Sequence, residues 1–305
     1  MPILVVGSVA FDTVKTPGGD RREVLGGSAT HFSASASFFS TVRLVAVVGD
    51  DFNAEHRRPL EERGVDLEGL QQAPGRTFRW SGEYGEDLSD PRTLETQLNV
   101  FADFTPALPP GWAETPIVFL ANIDPELQSR VLDLTLRPEV VAADTMNYWI
   151  DSKPDALKRN LSRVQVLFIN ESEIRQLTGL RNLVHAAKEA RRLGPDVVVI
   201  KRGEHGVLVF TRDEETFALP AYPLDRVVDP TGAGDAFAGG FLGFLASRLA
   251  RSRRDYRRAA VVGSVMASFQ VEDFSLDRMK RLDLEEIQLR YAGFERLVRF
   301  GPFGE

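Results

Sequence analysis

The residues best suited to chemistry lie in "DPTGAGDAFAGG", residues 229–240. Gly232, Ala233 and Gly234 are too small to shield the backbone N–H groups of a turn, and "DAFAGGFLGFLASRLA" after them has the character of a buried helix. A helix N-terminus offers unpaired N–H donors and a partial positive charge, so this turn reads as an anion site with phosphate as the first candidate. Asp235, in the first helical turn, would stand beside that anion. A carboxylate repels a phosphate, which makes sense where its task is to take a proton from an attacking hydroxyl. The structural alternative is an ordinary helix start with an aspartate in its first turn.

The elements that must position these residues follow from the rest of the chain. Its 305 residues, 43% of them hydrophobic, can bury a sizeable core as one large domain or a domain with a small appendage. Six apolar runs read as strands buried on both faces: 3–7, 42–49, 116–121, 139–144, 164–170 and 196–201. Between them, "NAEHRRPLEERG" and "SEIRQLTG" have helical period and end at glycine. This βαβα rhythm predicts an α/β fold: a mostly parallel sheet with helices on both faces and ligands beyond the carboxyl ends of its strands. Residues 12–27 and 76–104 break the rhythm with polar and apolar alternation, as antiparallel strands would. Together they form a small sheet, either a lid or an edge extension.

Composition excludes several functions. A net charge of -7 argues against a nucleic-acid partner, and the basic stretch 248–260 reads as a solvated helix face. With no cysteine there is no disulfide framework or thiolate chemistry, and His31, His56, His185 and His205 form no zinc motif. No apolar run reaches a membrane span and no basic leader opens the chain, so a cytoplasmic protein without membrane association is expected.

The chain resembles the PfkB or ribokinase-like family of sugar and nucleoside kinases. Its D-x-T-G-A-G-D signature is matched by Asp229, Thr231, Gly232, Ala233, Gly234 and Asp235. Upstream, "GSVAFD" ends in Asp12, Gly26 and Gly27 open "GGSATHFSASAS", and "VGDDF…LEERGVD" runs from Val48 to Asp66. "NESE" supplies Asn170 and Glu173, and "KRGEHG" runs from Lys201 to Gly206. These matches fall in order over nearly the whole chain.

The resemblance implies a ribokinase-like three-layer fold, one catalytic domain over 1–305 with the lid near 12–27 and 76–104. It implies an ATP-dependent kinase acting on a hydroxymethyl group of a sugar or nucleoside, with Mg²⁺ and an open question over K⁺. Asp235 would be the base and the 232–234 amides the anion hole, a division of labour suited to phosphoryl transfer. Asp12, Gly26, Gly27 and His31 would line the acceptor site. Lys201, Gly203, Gly206 and Asn170 would face ATP, and Glu173 would reach Mg²⁺ through water. Asp229 and Thr231 resemble positions around a monovalent-cation site. Asn170 with Glu173 also fits a helix capping box, and Gly203 with Gly206 a simple tight turn.

His31 departs from the asparagine usual there, which touches the acceptor's identity and leaves the phosphate machinery alone. Trp80 and Tyr84 would stack on a base, cover a sugar face or pack the lid to the body. Asp144 and Asn147 lie just beyond a strand with their role open. A nucleoside-specific kinase and a non-catalytic ligand-binding relative are the alternative functions, and a homodimer through the lid is a further expectation.

Overall fold

The computed structural model describes residues 1–88, 90–212, 216–248 and 253–300. The strands are β1 Ile3–Val6, β2 Ala10–Thr16, β3 Gly19–Gly26, β4 Val42–Val48, β5 Leu70–Gln72, β6 Phe78–Glu83, β7 Arg92–Gln97, β8 Ile117–Leu120, β9 Val140–Ala143, β10 Val166–Asn170, β11 Val197–Lys201, β12 Val207–Phe210 and β13 Thr216–Leu219. Nine of them form the main sheet in the order β13-β12-β11-β10-β9-β8-β1-β4-β5. The run from β11 to β5 is parallel throughout, and β12 and β13 add an antiparallel edge. All six runs read as strands from sequence lie in that parallel stretch. The three unanticipated strands are short and peripheral, where few apolar positions are needed.

Alternation along each strand sorts the core into two layers. In β1, Ile3 and Val5 join one cluster with Phe32, Phe237 and Phe241, while Leu4 and Val6 join another with Val131 and Leu132. Helices Ser28–Ala36, Ala233–Ala246 and Arg253–Gln270 therefore cover one face, and helices Pro125–Leu134, Pro154–Leu161, Glu171–Thr178 and Leu183–Arg192 the other. Phe32 stacks on Phe119 at 4.3 Å, and Phe168 meets Phe241 edge-on at 5.2 Å, so aromatic contacts bind the sheet to the first set. The helix after the glycine turn is buried along nearly its whole length, as its sequence required.

The two segments that break the rhythm do form one sheet, in the order β3-β2-β6-β7. The expectation of antiparallel strands holds for β2 with β3 and β6 with β7, but the central β2–β6 pair is parallel. Each hairpin rises from the carboxyl end of the main sheet, so their first strands leave in the same sense. The "VGDD" segment anchors this projection: the Asp51 carboxylate accepts the Thr77 amide at 2.8 Å and its hydroxyl at 2.6 Å, and Arg79 pairs with Asp51 at 2.8 Å. Gly49 passes so close that a Cβ there would stand 2.3 Å from the Gly75 carbonyl.

Part of the basic stretch 248–260 lies outside the described residues. Arg248 and Arg257 are exposed, as a solvated face requires, while their guanidinium groups also lie over Phe244 and Phe217. No helix among the described residues is long and apolar enough to cross a membrane.

The turn after β11 separates its two glycines. A Cβ on Gly206, at φ 83°, would stand 2.0 Å from the Leu219 carbonyl, whereas Gly203, at φ 53°, faces open space. Gly206→Ala is expected to cost at least about 3 kcal/mol and Gly203→Ala about 1 kcal/mol in denaturant unfolding. Equal costs would contradict this account of the turn.

Candidate active site

Strand alternation decides which side chains can meet the glycine turn. Val140 and Ala142, Val166 and Phe168, and Val197 and Val199 all face the layer of helix Ala233–Ala246. Two residues further along each strand stand Asp144, Asn170 and Lys201. These three therefore emerge on that same face, at the carboxyl ends of the adjacent strands β9, β10 and β11. The N-terminus of helix Ala233–Ala246 is brought down beside them.

The turn is braced from behind. The buried Asp229 carboxylate accepts the Thr231 amide at 2.9 Å, so in the structure this aspartate ties the turn. Gly232 caps the helix with φ 75°, and a Cβ on it would fall 2.3 Å from the His31 ring. A Cβ on Gly234 would stand 3.0 Å from Lys201 Nζ. Ala233 donates its amide to the Pro230 carbonyl at 3.1 Å. The amides of Gly232, Gly234 and Asp235 have no hydrogen-bond partner among the described residues. The amides left free at this helix start are thus those of Gly232, Gly234 and, unanticipated from sequence, Asp235 itself, with Ala233 spent inside the turn.

Lys201 Nζ closes on Asp144 Oδ2 at 2.5 Å. Burial works against its charge, yet Asp144 and Glu173 hold its pKa above the ordinary lysine value. Asn170 and Glu173 form the capping box: Asn170 Oδ1 accepts the Glu173 amide at 2.7 Å, and Glu173 Oε2 accepts the Asn170 amide at 2.8 Å. Glu173 is buried, and loss of hydration with the Asp144 charge, opposed by Lys201, pushes its pKa up to about 7. Asn147 stands apart, its side chain turned back to the Tyr148 amide.

On the other side of the turn stand the acceptor candidates. Asp12 is 5% exposed and lies so close over Gly26 that a Cβ there would fall 1.9 Å from the carboxylate. Its burial, aided by Asp229 and opposed by the Gly27 amide, raises its pKa to about 7. Gly27, at φ 96°, opens helix Ser28–Ala36. That helix carries His31, 2% exposed and held by burial near pKa 4, so the ring is neutral. The Gln270 side chain faces the ring and opposes the effect of burial, but among the described residues neither ring nitrogen nor the Gln270 carbonyl oxygen reaches a well-formed hydrogen bond.

The small sheet reaches the same place. Trp80 sits opposite Asp12 in the parallel register, its indole lying along the strand over Gly82 and its N–H bonded to Thr93 at 3.2 Å. Tyr84 packs with Val14 and Phe274, and its hydroxyl accepts from Thr231 at 3.2 Å. Tyr84 therefore docks the sheet against the glycine turn. Gln270 adds a second brace, donating to the Thr231 carbonyl at 3.2 Å. A packing role for Tyr84 was open from its sequence position, but neither its partner nor the contact of Gln270 had a sequence signal, since both join residues far apart in the chain.

Asp235 is the focus of these charges. Loss of hydration and the fields of Asp144, Asp12 and Glu173 outweigh Lys201 and raise its pKa to about 8. Its proton affinity suits a group that takes a proton from an alcohol near neutrality. Gly203 and Gly206 shape the β11–β12 turn, and no backbone hydrogen bond joins either of them to this cluster among the described residues.

Known proteins resemble this chain in sequence and fold. The model of the pfkB family carbohydrate kinases matches residues 3–280. The cytidine kinase of Thermococcus kodakarensis is 35% identical over 247 residues, 79% of this chain and 87% of that protein. Aminoimidazole riboside kinase from Salmonella enterica, solved with aminoimidazole riboside and an ATP analog, superposes with a TM-score of 0.77 at 20% identity over 95% of this chain and 100% of that one. Burkholderia thailandensis nucleoside kinase, solved with inosine, superposes with a TM-score of 0.75 at 19% identity over 99% of this chain and 100% of that one. The three-layer architecture with its small second sheet is the fold they share. Matched over nearly its whole length by the family and folded as its members are, the chain belongs to the pfkB family of carbohydrate kinases.

Proposed function

We propose that this kinase transfers the γ-phosphoryl group of ATP to a hydroxymethyl group of a nucleoside. The observation that carries the reading is Asp235, a carboxyl of raised proton affinity, set one residue from the free amide of Gly234 and facing Asp12 across the turn. The Gly232, Gly234 and Asp235 amides receive the transferring phosphoryl oxygens. Asp12 accepts hydrogen bonds from sugar hydroxyls and orients the ring. As the acceptor oxygen bonds to phosphorus, the bond from phosphorus to the ADP oxygen breaks and the hydroxyl proton passes to Asp235. Among the described residues no three acidic or histidine side chains converge as a metal cage, so a divalent cation would be held sparsely: Glu173, beside Asp144 and balanced by Lys201, would reach Mg²⁺ through water, and the ion would neutralise charge on the phosphates.

The relatives that act on or bind nucleosides support that acceptor class. So does Trp80, which is level with Asp12 in the register of the parallel pair and whose ring lies along its own strand in the room that Gly82 leaves. The sheet holding both acts as a lid that excludes water from the reacting hydroxyl, with Tyr84 on Thr231 marking its closed position. In a coupled ADP-release assay, cytidine and related nucleosides are expected to outperform ribose and free hexoses. Trp80→Ala should raise the nucleoside KM about 10-fold or more, as loss of one stacking contact predicts, with the KM for ATP unchanged. Equal turnover of free sugars would remove the nucleoside from this reading.

Asp235→Asn keeps the shape and removes the proton acceptor, so kcat should fall by about 100-fold or more with the fold intact. The folded pKa is raised above the unfolded 3.8, so the stability held by the protonated carboxyl is lost as pH rises from there towards about 8. At pH 8 the Asn variant should accordingly melt at least about 2 °C above the parent.

The base must be ionised, so kcat/KM for the acceptor should climb with pH and level off above about 8, with Asp12 and Glu173 steepening the limb around 7. A profile flat from about pH 6 to 9 would exclude Asp235 as the base.

A further inference from the structure

Lys201 has a choice of partner. Among the described residues it is the cation that faces Asp144, Glu173 and Asp235 together. Closed on Asp235, its ammonium would neutralise the base. Closed on Glu173, it would occupy the carboxylate best suited to a metal. It closes on Asp144, at 2.5 Å, and that choice is built into the fold. Asp144 is clamped at the end of β9: its amide donates to the Leu120 carbonyl at 2.9 Å, and its carbonyl accepts from Gln128 at 3.1 Å. Its Oδ1 accepts the Thr145 amide at 2.9 Å, leaving Oδ2 for the lysine. The missing Cβ of Gly234 lets Lys201 Nζ stand against the turn, 3.0 Å from where that carbon would be.

We propose that Asp144 is a positioning residue for phosphoryl transfer: it holds the Lys201 ammonium at the open face of Gly234, so that this charge acts on the phosphoryl group and leaves the Asp235 carboxylate available for the proton. This rests on the reading of Asp235 as the base. Asp144 itself touches no reacting atom. Its effect runs entirely through Lys201, and a double-mutant cycle reads that dependence.

Asp144→Asn should lower kcat about 100-fold, the scale of losing one aimed charge in a transfer site, while the acceptor KM stays within about twofold. Asp144→Glu, which restores the carboxylate, should recover part of the loss. Lys201→Met should also lower kcat, and Asp144→Asn with Lys201→Met should be no slower than Lys201→Met alone, because nothing is left to position. Losses that multiply in the double variant, or near-parental kcat in Asp144→Asn, would overturn the proposal. If Asp144→Asn does not hold its fold at the assay temperature by circular dichroism, Lys201→Met against the double variant reads the same coupling, since neither contains an unpaired ammonium. Asp235→Asn measured alongside separates the two readings: full kcat there removes the base assignment, whereas a loss there with multiplying losses in the cycle removes the role of Asp144 alone.

Discussion

Asp144, Glu173 and Asp235 gather around Lys201 at the carboxyl ends of the main sheet, and Asp12 and Asp229 lie buried on the other side of the glycine turn. Left to themselves, like charges so buried would drive the site apart or protonate. The positive end of helix Ala233–Ala246 and the ammonium of Lys201 oppose that repulsion, and raised proton affinities record what they leave uncompensated. A site in this state has affinity for further positive charge and keeps a carboxyl close to its proton. Both properties serve a kinase.

The glycines are the steric side of the same constraint. Gly26 lets the Asp12 carboxylate lie flat on its own sheet, Gly232 admits the His31 ring, and Gly234 admits Lys201. The space of each missing Cβ is taken by a side chain from elsewhere in the cluster. The turn can then keep its amides open while being packed from below. The small sheet completes the enclosure through Tyr84, Val14 and Phe274, anchored at its root by Asp51 and Thr77. Tyr84 thereby takes the structural one of the two roles its sequence position allowed.

Much of this was legible in one dimension. The parallel strands are continuous apolar runs because both their faces are covered, and that pattern belongs to each segment alone. The helix after Gly234 could be read as buried for the same reason. Asn170 and Glu173 form their capping box within four residues, so the short-range rule that suggested it held. The edge strands β12 and β13 escaped because a short strand paired on a rim leaves little periodicity.

The sequence by itself determined the fold class, the glycine turn that opens a buried helix and the carboxyl beside it, because a helix N-terminus is a local object set by small residues and chain direction. Tertiary structure decided the partnerships. Asp144 meets Lys201, Tyr84 meets Thr231, and His31 lies under Gly232 only after the sheet order has brought distant segments to one edge. The parallel pairing of β2 with β6 was of the same kind, set by where two hairpins leave the main sheet. Electrostatic energy depends on distances through space, and separation along the chain carries no trace of them, so the proton affinity of Asp235 belongs to the folded molecule alone.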